Sequence, residues 1–471
     1  MTTSAPGAFS SRARLTSLII ASAFFMEQLD GSVIATSLPQ IAVSFGAHAV
    51  DVGIGMTAYL VALAAFIPLS GWIADRVGAK TTFCASIVLF ALTSVACGLC
   101  GSLAAFVAAR IAQGAAGAMM MPVGRTVVLR STSKAELVRA IALITWPGLM
   151  APVLGPPIGG FITTYSSWRW IFFLNVPIAV CGVILALIYI GAMPGEKKRP
   201  FDLVGFLLST STLIALMFGL DLLSRGAPLV QSAGLLGGAV LLGMLWRQNL
   251  RTSAAPILSF APAAIPTFAA SVFRGNIFRL AIQTTPFMLP LLFQIGFGRS
   301  AFASGLLMLA YASGNLGMKA MSTSVLRWFG FRRVILGNGA IVTLSLVACG
   351  LIAASTPVAV IVPVLFVAGL CRSMQFTTVN ALGFADVPQS MMGAASTLSS
   401  TVVQLASAGG IAVGALLLHA VAALRHAGPD PDVTDFHIAF VLTAAIALAA
   451  LLSLLNLPEN AGADVSGHVA A

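Results

Sequence analysis

Residues 95–99 read VACGL, and residues 347–351 read VACGL again. The same offset of 252 positions, without a gap, pairs Phe45 and Gly46 with Phe297 and Gly298, Gly53 with Gly305, Tyr59 with Tyr311, Gly78 with Gly330, and Lys80 with Arg332. Matches this numerous in one register mark an internal duplication of a long unit. Each copy is a series of apolar runs of membrane-crossing length. In the first copy they lie near 15–38, 52–73, 81–101, 104–129, 140–164 and 170–192. In the second they lie near 268–297, 301–326, 333–354, 357–380, 391–422 and 436–457. Between the copies GEKKRP (195–200) breaks the pattern, and two further runs follow near 203–223 and 228–246.

This reading predicts an all-α integral membrane protein with fourteen transmembrane helices, two six-helix repeats and two inserted helices. Its parts are a first six-helix lobe (1–194), a linker with the two extra spans (195–266), and a second six-helix lobe with a short tail (267–471). Composition agrees. The 471 residues are 58% hydrophobic and only 8% charged, against about 25% charged in soluble proteins, which excludes a soluble globular fold. Spans of ~20 residues account for about 280 positions and leave the remainder for connections.

The net charge of +11 does not point to nucleic acid, because the cations sit singly or in short groups between apolar runs. With the amino terminus inside, Arg12, Arg14, Arg76, Lys80, Arg130, Lys134 and Arg139 fall in cytoplasmic segments, as do Lys197, Lys198, Arg199, Arg247, Arg251, Arg327, Arg332 and Arg333. Only Arg169, Arg225, Arg299 and Arg425 fall in outer ones. That asymmetry obeys the positive-inside rule and places both termini in the cytoplasm of a multi-pass inner-membrane protein.

Enzymatic chemistry lacks its ingredients in this sequence. The six cysteines all lie in apolar runs, and the Cys97–Cys100 CxxC sits near the end of a hydrophobic span, where packing is its expected role. No histidines are spaced as a zinc or haem pair. No GxxxxGK[ST] loop is present, so energy is expected from an ion gradient or the substrate's own, and no cofactor is expected. Parallel six-span repeats with a site at their interface near the midplane are a transporter architecture.

Charges inside the spans mark the candidate site, since each costs ~2.5 to 3.5 kcal/mol at the bilayer centre unless it faces a partner or a cavity. Glu27 and Asp30 are neighbours on one helix face. Two carboxylates so close in low dielectric resist simultaneous ionisation, so one can carry a proton reversibly; the alternative is that both are locked in structural ion pairs. Arg110, in the fourth span, is a fixed positive charge, with Gln113 one turn away. Arg372 occupies the corresponding span of the second repeat, with Gln375 near it, and Arg279 is the offset partner of Glu27. Pseudo-symmetry suggests that Glu27 and Arg279 face each other across the cleft; the alternative is that each pairs within its own lobe. Gln113, Arg279, Gln283, Arg372 and Gln375 are the expected substrate-cavity residues.

Three motifs surround this constellation. GWIADRVGAK (71–80) joins the second and third spans, with Asp75 on a helix carboxyl end that disfavours an anion. Its expected partner is Arg76, Lys80 or the helix start after Pro388, the last of which would latch the lobes on the inside. RIAQGAAGAMMMP (110–122) carries Arg110 and Gln113. GLMAPVLGPPIGG (148–160) sets Gly155 and Gly159 at the GxxxG spacing of close helix contacts.

Together these resemble the major facilitator superfamily, in its fourteen-span drug/proton antiporter branch of EmrB and QacA type. GxxxDRxGxK, RxxQGxxxAxxxP, GPxxGG and WRWIFFLNVP (168–177) stand in the family's order, and LDGSVIATSLP (29–39) is similar to its first-span signature. The stretch RSMQFTTVNALGFADVP (372–388) resembles the MdtD-like subgroup. The resemblance implies proton coupling through Asp30 and Arg110, to which the residues add Glu27. It also implies a cytoplasmic gate at Asp75, Arg76 and Lys80, and an antiporter helix packed through Gly155, Pro156, Gly159 and Gly160. Departures are Ala35, where the signature has Asn, and Ala79 and Thr81, where the loop motif has basic residues.

The expected function is export of small organic compounds, of the drug-efflux type, by proton-coupled antiport and alternating access in a monomer. The partners are a small-molecule substrate, protons and the bilayer. A second expectation is transport of an organic anion or carboxylate by the cavity arginines, and a third is a non-transporting receptor or scaffold.

Overall fold

The computed structural model describes residues 10–132, 136–195, 200–224, 228–253, 256, 258–425, 431–458 and 461–462. Lys134, Lys197, Lys198, Arg199 and Arg225, used above for orientation, lie outside the described residues. Within them every regular element is helical.

The first six spans are Ser11–Val33, Ala49–Val77, Ala79–Leu99, Leu103–Ser131, Leu137–Tyr165 and Asn175–Tyr189. The inserted pair is Leu203–Ser224 and Leu229–Thr252. Helix starts follow local chemistry. Ser10, Ser102 and Ser300 each accept a hydrogen bond from a backbone N–H three residues on, and Asp432 and Asp435 form a reciprocal capping box at the start of the last span.

Twelve helices are by themselves long and apolar enough to cross a membrane. The expected fourteen are recovered because one of them is two spans and one span is not a single helix. Ala301–Gly350 runs without a loop but breaks at Gly330, where φ is 73° and ψ is 167°. The ninth span is expected as one run over 268–297. It is instead a chain of short pieces, Pro266–Ala269, Ala270–Gly275, Asn276–Gln283, Thr285–Leu291 and Leu292–Gly296, two of them π-helical. Pro286 withholds a backbone donor at the break between Asn276–Gln283 and Thr285–Leu291, and Pro290 withholds one inside the latter piece. The last three spans are Val358–Ala385, Met392–Arg425 and Val433–Leu452.

The duplication is visible in the backbone. Gly46 and Gly298 both end a helix with left-handed φ, at 63° and 64°, and Gly78 and Gly330 both turn between spans at φ 102° and 73°. Only glycine takes such angles without steric cost. Gly330→Ala is therefore expected to lower stability by about 1–2 kcal/mol. Gly337→Ala, in a helix interior where a Cβ meets open space, is expected to raise it by about 0.5–1 kcal/mol. Thermal unfolding in detergent checks the pair, and equal shifts would contradict the assignment of strain to Gly330.

The two six-span groups meet along two seams. The fifth span packs on the tenth, and the second packs on the thirteenth. The seventh span lies against both the second and the thirteenth, so the inserted pair lines that seam; Val61, Leu213 and Ala408 meet there. The largest apolar cluster draws on both groups, through residues such as Leu38, Phe106, Trp168, Phe293 and Phe436. It lies toward the Gly46 and Gly298 ends of the spans. Cross-group polar contacts gather at the same end: Gln40 Nε2 donates to Gln294 Oε1 at 3.2 Å, Gln294 Nε2 to the Thr36 carbonyl at 3.0 Å, and the Phe302 N–H to Thr164 Oγ1 at 3.0 Å. His419 Nε2 lies 3.4 Å from Asp51 Oδ1. Toward the Gly78 and Gly330 end, apolar clusters belong to one group or the other. The molecule is thus joined at one end around an internal cavity.

Candidate functional site: a charged cavity between two helical groups

The first span carries Glu27 and Asp30 into the interior, and the structure separates their tasks. Asp30 is 1% exposed. Its Oδ2 accepts from Arg110 NH1 at 2.6 Å, and its Oδ1 accepts from Gln113 Nε2 at 2.9 Å and Asn175 Nδ2 at 2.8 Å. Arg110 also donates to Gln113 Oε1 at 2.7 Å and to the Gly55 carbonyl, and its guanidinium lies 4.2 Å from the Tyr59 ring centroid. Charge-assisted bonds of this kind are what a buried ion pair needs to offset desolvation.

Glu27 differs: it lines the cavity, its buried Oε2 has no hydrogen-bond partner among the described residues, and the opposite charge acting on it is Arg125 of the fourth span. Arg110 lines the cavity too, whereas Asp30 lies one layer behind it. The first span therefore presents one satisfied carboxylate and one available carboxylate.

The cavity has a volume of ≈ 340 Å³, within the range of small-molecule sites. The second group contributes Arg279, Gln283 and Arg372 to its wall. Arg279 NH2 donates to Asn380 Oδ1 at 2.7 Å and stacks 4.1 Å from the Phe376 centroid. Arg372 NH2 donates to Gln283 Oε1 at 2.8 Å and lies 5.6 Å from the Tyr311 centroid. The Nε of each arginine has no partner. Glu27 and Arg279 share the cavity as pseudo-symmetry suggests, but no ion pair joins them among the described residues, and Arg279 is paired with an amide and not with an acid of its own group.

Two cavity assignments need correction. Gln113 does not line the wall; it is fully buried between Asp30, Arg110 and Cys97, because Asp30 draws its amide inward. Gln375 does not line it either. It donates to the Ile335 carbonyl at 3.3 Å and accepts from Asn338 Nδ2 at 2.9 Å, tying the twelfth span to the eleventh. The expected partners of Asp75 are likewise replaced. Asp75 Oδ1 lies 3.9 Å from Arg130 NH2 on the last turn of the fourth span, while Lys80 donates to the Leu187 carbonyl and Arg76 stacks on Trp72. Close packing of the second span on the fourth brings Arg130 there, so the described pair stays within the first group and does not reach the helix after Pro388.

The glycines of the fifth span divide between two surfaces. A Cβ on Gly155 would strike Ser32 and one on Gly159 would strike the Val33 carbonyl, both in the first span. A Cβ on Gly160 would strike the Ala301 carbonyl of the tenth span, and Gly305 returns the contact against the Pro156 carbonyl. GPxxGG thus packs span five inside its own group and across the seam. Pro156 also lines the cavity.

Sequence reasoning missed Asn175, Tyr59 and Tyr311. Asn175 bonds both Asp30 and Ser94, and its only signal was its place in WRWIFFLNVP. Tyr59 and Tyr311 are offset partners, and each lies under the arginine of its own repeat. The repeats differ in one decisive way: position 30 is Asp, and its offset partner is Ile282. Arg110 has a carboxylate; Arg372 has an amide.

A chamber of this size at the junction of duplicated helical groups, with carboxylate and guanidinium groups on its wall, is the architecture of membrane transport proteins. The chain belongs to the Major Facilitator Superfamily, which residues 20–411 match. It is 34% identical over 430 residues to the putative multidrug resistance protein MdtD of Salmonella paratyphi A, with 90% of each chain covered. It is 33% identical, at the same coverage, to MdtD of Salmonella typhimurium. Among solved structures it is similar to the nucleoside transporter NupG, with TM-score 0.60, 14% identity, and 94% and 98% of the two chains covered. It is also similar to the xylose transporter XylE from E. coli, with TM-score 0.64, 13% identity, and 95% and 98% covered. At these identities the structural matches establish the fold.

Proposed function

We propose that the protein is a proton-coupled antiporter that exports small organic compounds from the cytoplasm, in the manner the name of its MdtD relatives suggests. The observation that carries the reading is the pairing of an unpartnered cavity carboxylate, Glu27, with a neighbouring acid–arginine pair, Asp30 and Arg110, whose guanidinium reaches the same cavity. Two lobes, 1–194 and 267–471, rock about this site, and the linker spans at 195–266 travel along the seam. With both termini cytoplasmic, the end closed by Gln40, Gln294 and Thr164 faces outward, and the cavity is loaded from the inside. Asp75, Arg76 and Lys80 form the cytoplasmic gate, and Gly155, Pro156, Gly159 and Gly160 let the fifth span slide. A proton taken up by Glu27 from the outer side removes the counter-charge that holds substrate; loss of that proton toward the cytoplasm resets the cavity. The proton gradient replaces any cofactor, and a monomer contains every group required.

Proteoliposome flux with internal pH recorded, over cations, neutral compounds and carboxylates, tests the proposal. The expected result is solute movement opposed to proton movement. Glu27→Gln should abolish the response of solute flux to the pH gradient. Flux that ignores the pH gradient in the unaltered protein would overturn the coupling.

A second reading of the cargo is favoured by one asymmetry. Arg279 and Arg372 face the cavity with neutral amide partners only, whereas Arg110 is neutralised by Asp30, so the wall carries more positive than negative charge. An organic anion such as a carboxylate would complete both guanidinium groups. Arg279→Gln that abolishes anion flux but spares cation flux selects this cargo; the reverse pattern from Glu27→Gln selects a cation.

A further inference from the structure

We propose that the inserted eighth span carries a binding site for one anionic phospholipid, held by Arg247 and Arg251 with Trp246 beside them. Leu229–Thr252 is the least covered of the spans, with 11% of its apolar window buried, so its surroundings are lipid. Near its end a second cavity of ≈ 670 Å³ opens between this helix, the seventh span and the returning segment at 258–261. From the eighth span, Gly243, Trp246, Arg247, Leu250 and Arg251 line it, a spacing that keeps them on one helix face. The site is graded along that face. Arg247 and Arg251 stand one turn apart at the end of the helix, both exposed and neither in an ion pair with a described residue. Asp202, the carboxylate on the adjoining segment, is held by the Gly205 N–H and Asn249 Nδ2.

Leu250 lies between the two cations, and past Arg247 the wall turns apolar through Trp246 and up to Gly243 and the Thr212 methyl. The whole lined face from Arg251 to Gly243 is ~12 Å long at 1.5 Å per residue, and its apolar part past Arg247 is ~6 Å. A cationic mouth continuing into an apolar slot matches a phosphodiester head with an acyl chain behind it, and not a free phosphate, which would leave the slot empty. Trp246 supplies an aromatic edge to the site. Its ring packs 5.8 Å from that of Phe260, and its Nε1–H is buried without an acceptor. The donor is enclosed by protein, so Trp246 offers the lipid the face of its ring and not a hydrogen bond. Basic clusters at the cytoplasmic ends of spans attract anionic headgroups by about 1 kcal/mol per cation, so the positive-inside orientation would put this site in the leaflet that faces the cytoplasm. The return segment leads directly into the ninth span, so the lipid would sit where the insert joins the second group.

Native mass spectrometry of the purified full-length protein, with phosphatidylglycerol or phosphatidylcholine added, tests the site. Wild type should retain phosphatidylglycerol in preference. The Arg247→Gln/Arg251→Gln double variant should bind it roughly thirtyfold more weakly, with phosphatidylcholine binding unchanged. Arg247→Lys/Arg251→Lys should restore most of the preference, which separates loss of charge from loss of fold. Phosphatidylglycerol with brominated acyl chains should quench tryptophan emission in wild type more than in Trp246→Phe. Equal phosphatidylglycerol retention by wild type and the double glutamine variant would overturn the site. Displacement of the lipid by inorganic phosphate or glycerol phosphate at similar concentration would show a soluble-anion site and overturn the lipid assignment.

Discussion

Asp30→Asn is expected to abolish coupled transport and to destabilise the folded protein by about 3–5 kcal/mol, the range for stranding one partner of a buried ion pair. Arg110 is 1% exposed, and Asp30 is its only carboxylate partner among the described residues. Without it the guanidinium keeps its charge, since arginine does not readily deprotonate, and retains only Gln113, the Gly55 carbonyl and the Tyr59 ring as compensation. The substituted amide would also present an N–H₂ group in place of one acceptor oxygen, toward donors from Gln113, Asn175 or Arg110 itself. Arg110→Gln alone should destabilise for the complementary reason, leaving Asp30 with amide donors and no counter-charge. The double variant Asp30→Asn/Arg110→Gln should be less destabilised than the sum of the two, because no unpaired charge remains. Unfolding midpoints of the four proteins in one detergent give the coupling. Additive effects, or an Asp30→Asn variant that melts with wild type and still couples flux to pH, would contradict the assignment of Asp30 and Arg110 as one buried unit.

Gly160→Val is expected to open the seam between the fifth and tenth spans and stop transport while leaving the first six-span group folded. A Cβ at Gly160 meets the Ala301 carbonyl and the Phe302 backbone, which cannot rotate away as a side chain could. The tenth span must therefore retreat, and with it the Phe302–Thr164 bond. Overpacking of this kind costs about 1–3 kcal/mol. Here the cost falls on the contact between groups and not within one, so it shifts the balance between closed and open states. Gly155→Val and Gly159→Val strike Ser32 and the Val33 carbonyl and should instead impair folding of the first group. Gly71→Ala, where a Cβ meets nothing within 4 Å, should leave transport unchanged. Labelling of a cysteine introduced at Thr164 with a membrane-impermeant maleimide, in a background lacking the native cysteines, reads the seam. Faster labelling in Gly160→Val than in Gly159→Val is the expected order, and the opposite order would refute the division of the two glycines between surfaces.

The architecture was legible because bilayer physics writes it into composition. Apolar runs of fixed length, breaks at charge clusters and a 252-residue offset follow from the requirement that each span satisfy its own backbone in lipid. That offset predicted the matching glycines at 46 and 298 and at 78 and 330, which prove to share their left-handed backbone. The inserted pair was legible as two spans but not in its placement along one seam. That placement depends on which apolar face meets which, and faces of nearly uniform hydrophobicity carry no such label. The break-up of the ninth span had a visible cause in Pro286 and Pro290, yet its π turns depend on what the neighbouring helices hold in place.

The site was legible as a list of charges and illegible as a circuit. Sequence placed Glu27, Asp30, Arg110, Arg279 and Arg372 inside the membrane, and all but Asp30 reach the cavity wall. It could not separate Glu27 from Asp30, three residues apart on one helix. Their difference comes from Gln113 and Asn175 on other spans, which saturate one carboxylate and leave the other unpartnered. It also assigned Asp75 to local or cross-lobe partners, where the packing of spans two and four supplies Arg130.

By itself, then, the amino-acid order determined how many times the chain crosses the bilayer, that it is duplicated, and which ionisable groups lie within it. Those properties are set by the cost of moving each side chain and peptide group from water to hydrocarbon, a cost paid residue by residue. Only the tertiary structure decided which acid is satisfied, which arginines lack a carboxylate, and which glycines join the two halves. Those depend on partners distant in sequence brought within about 3 Å, the range over which hydrogen bonds act.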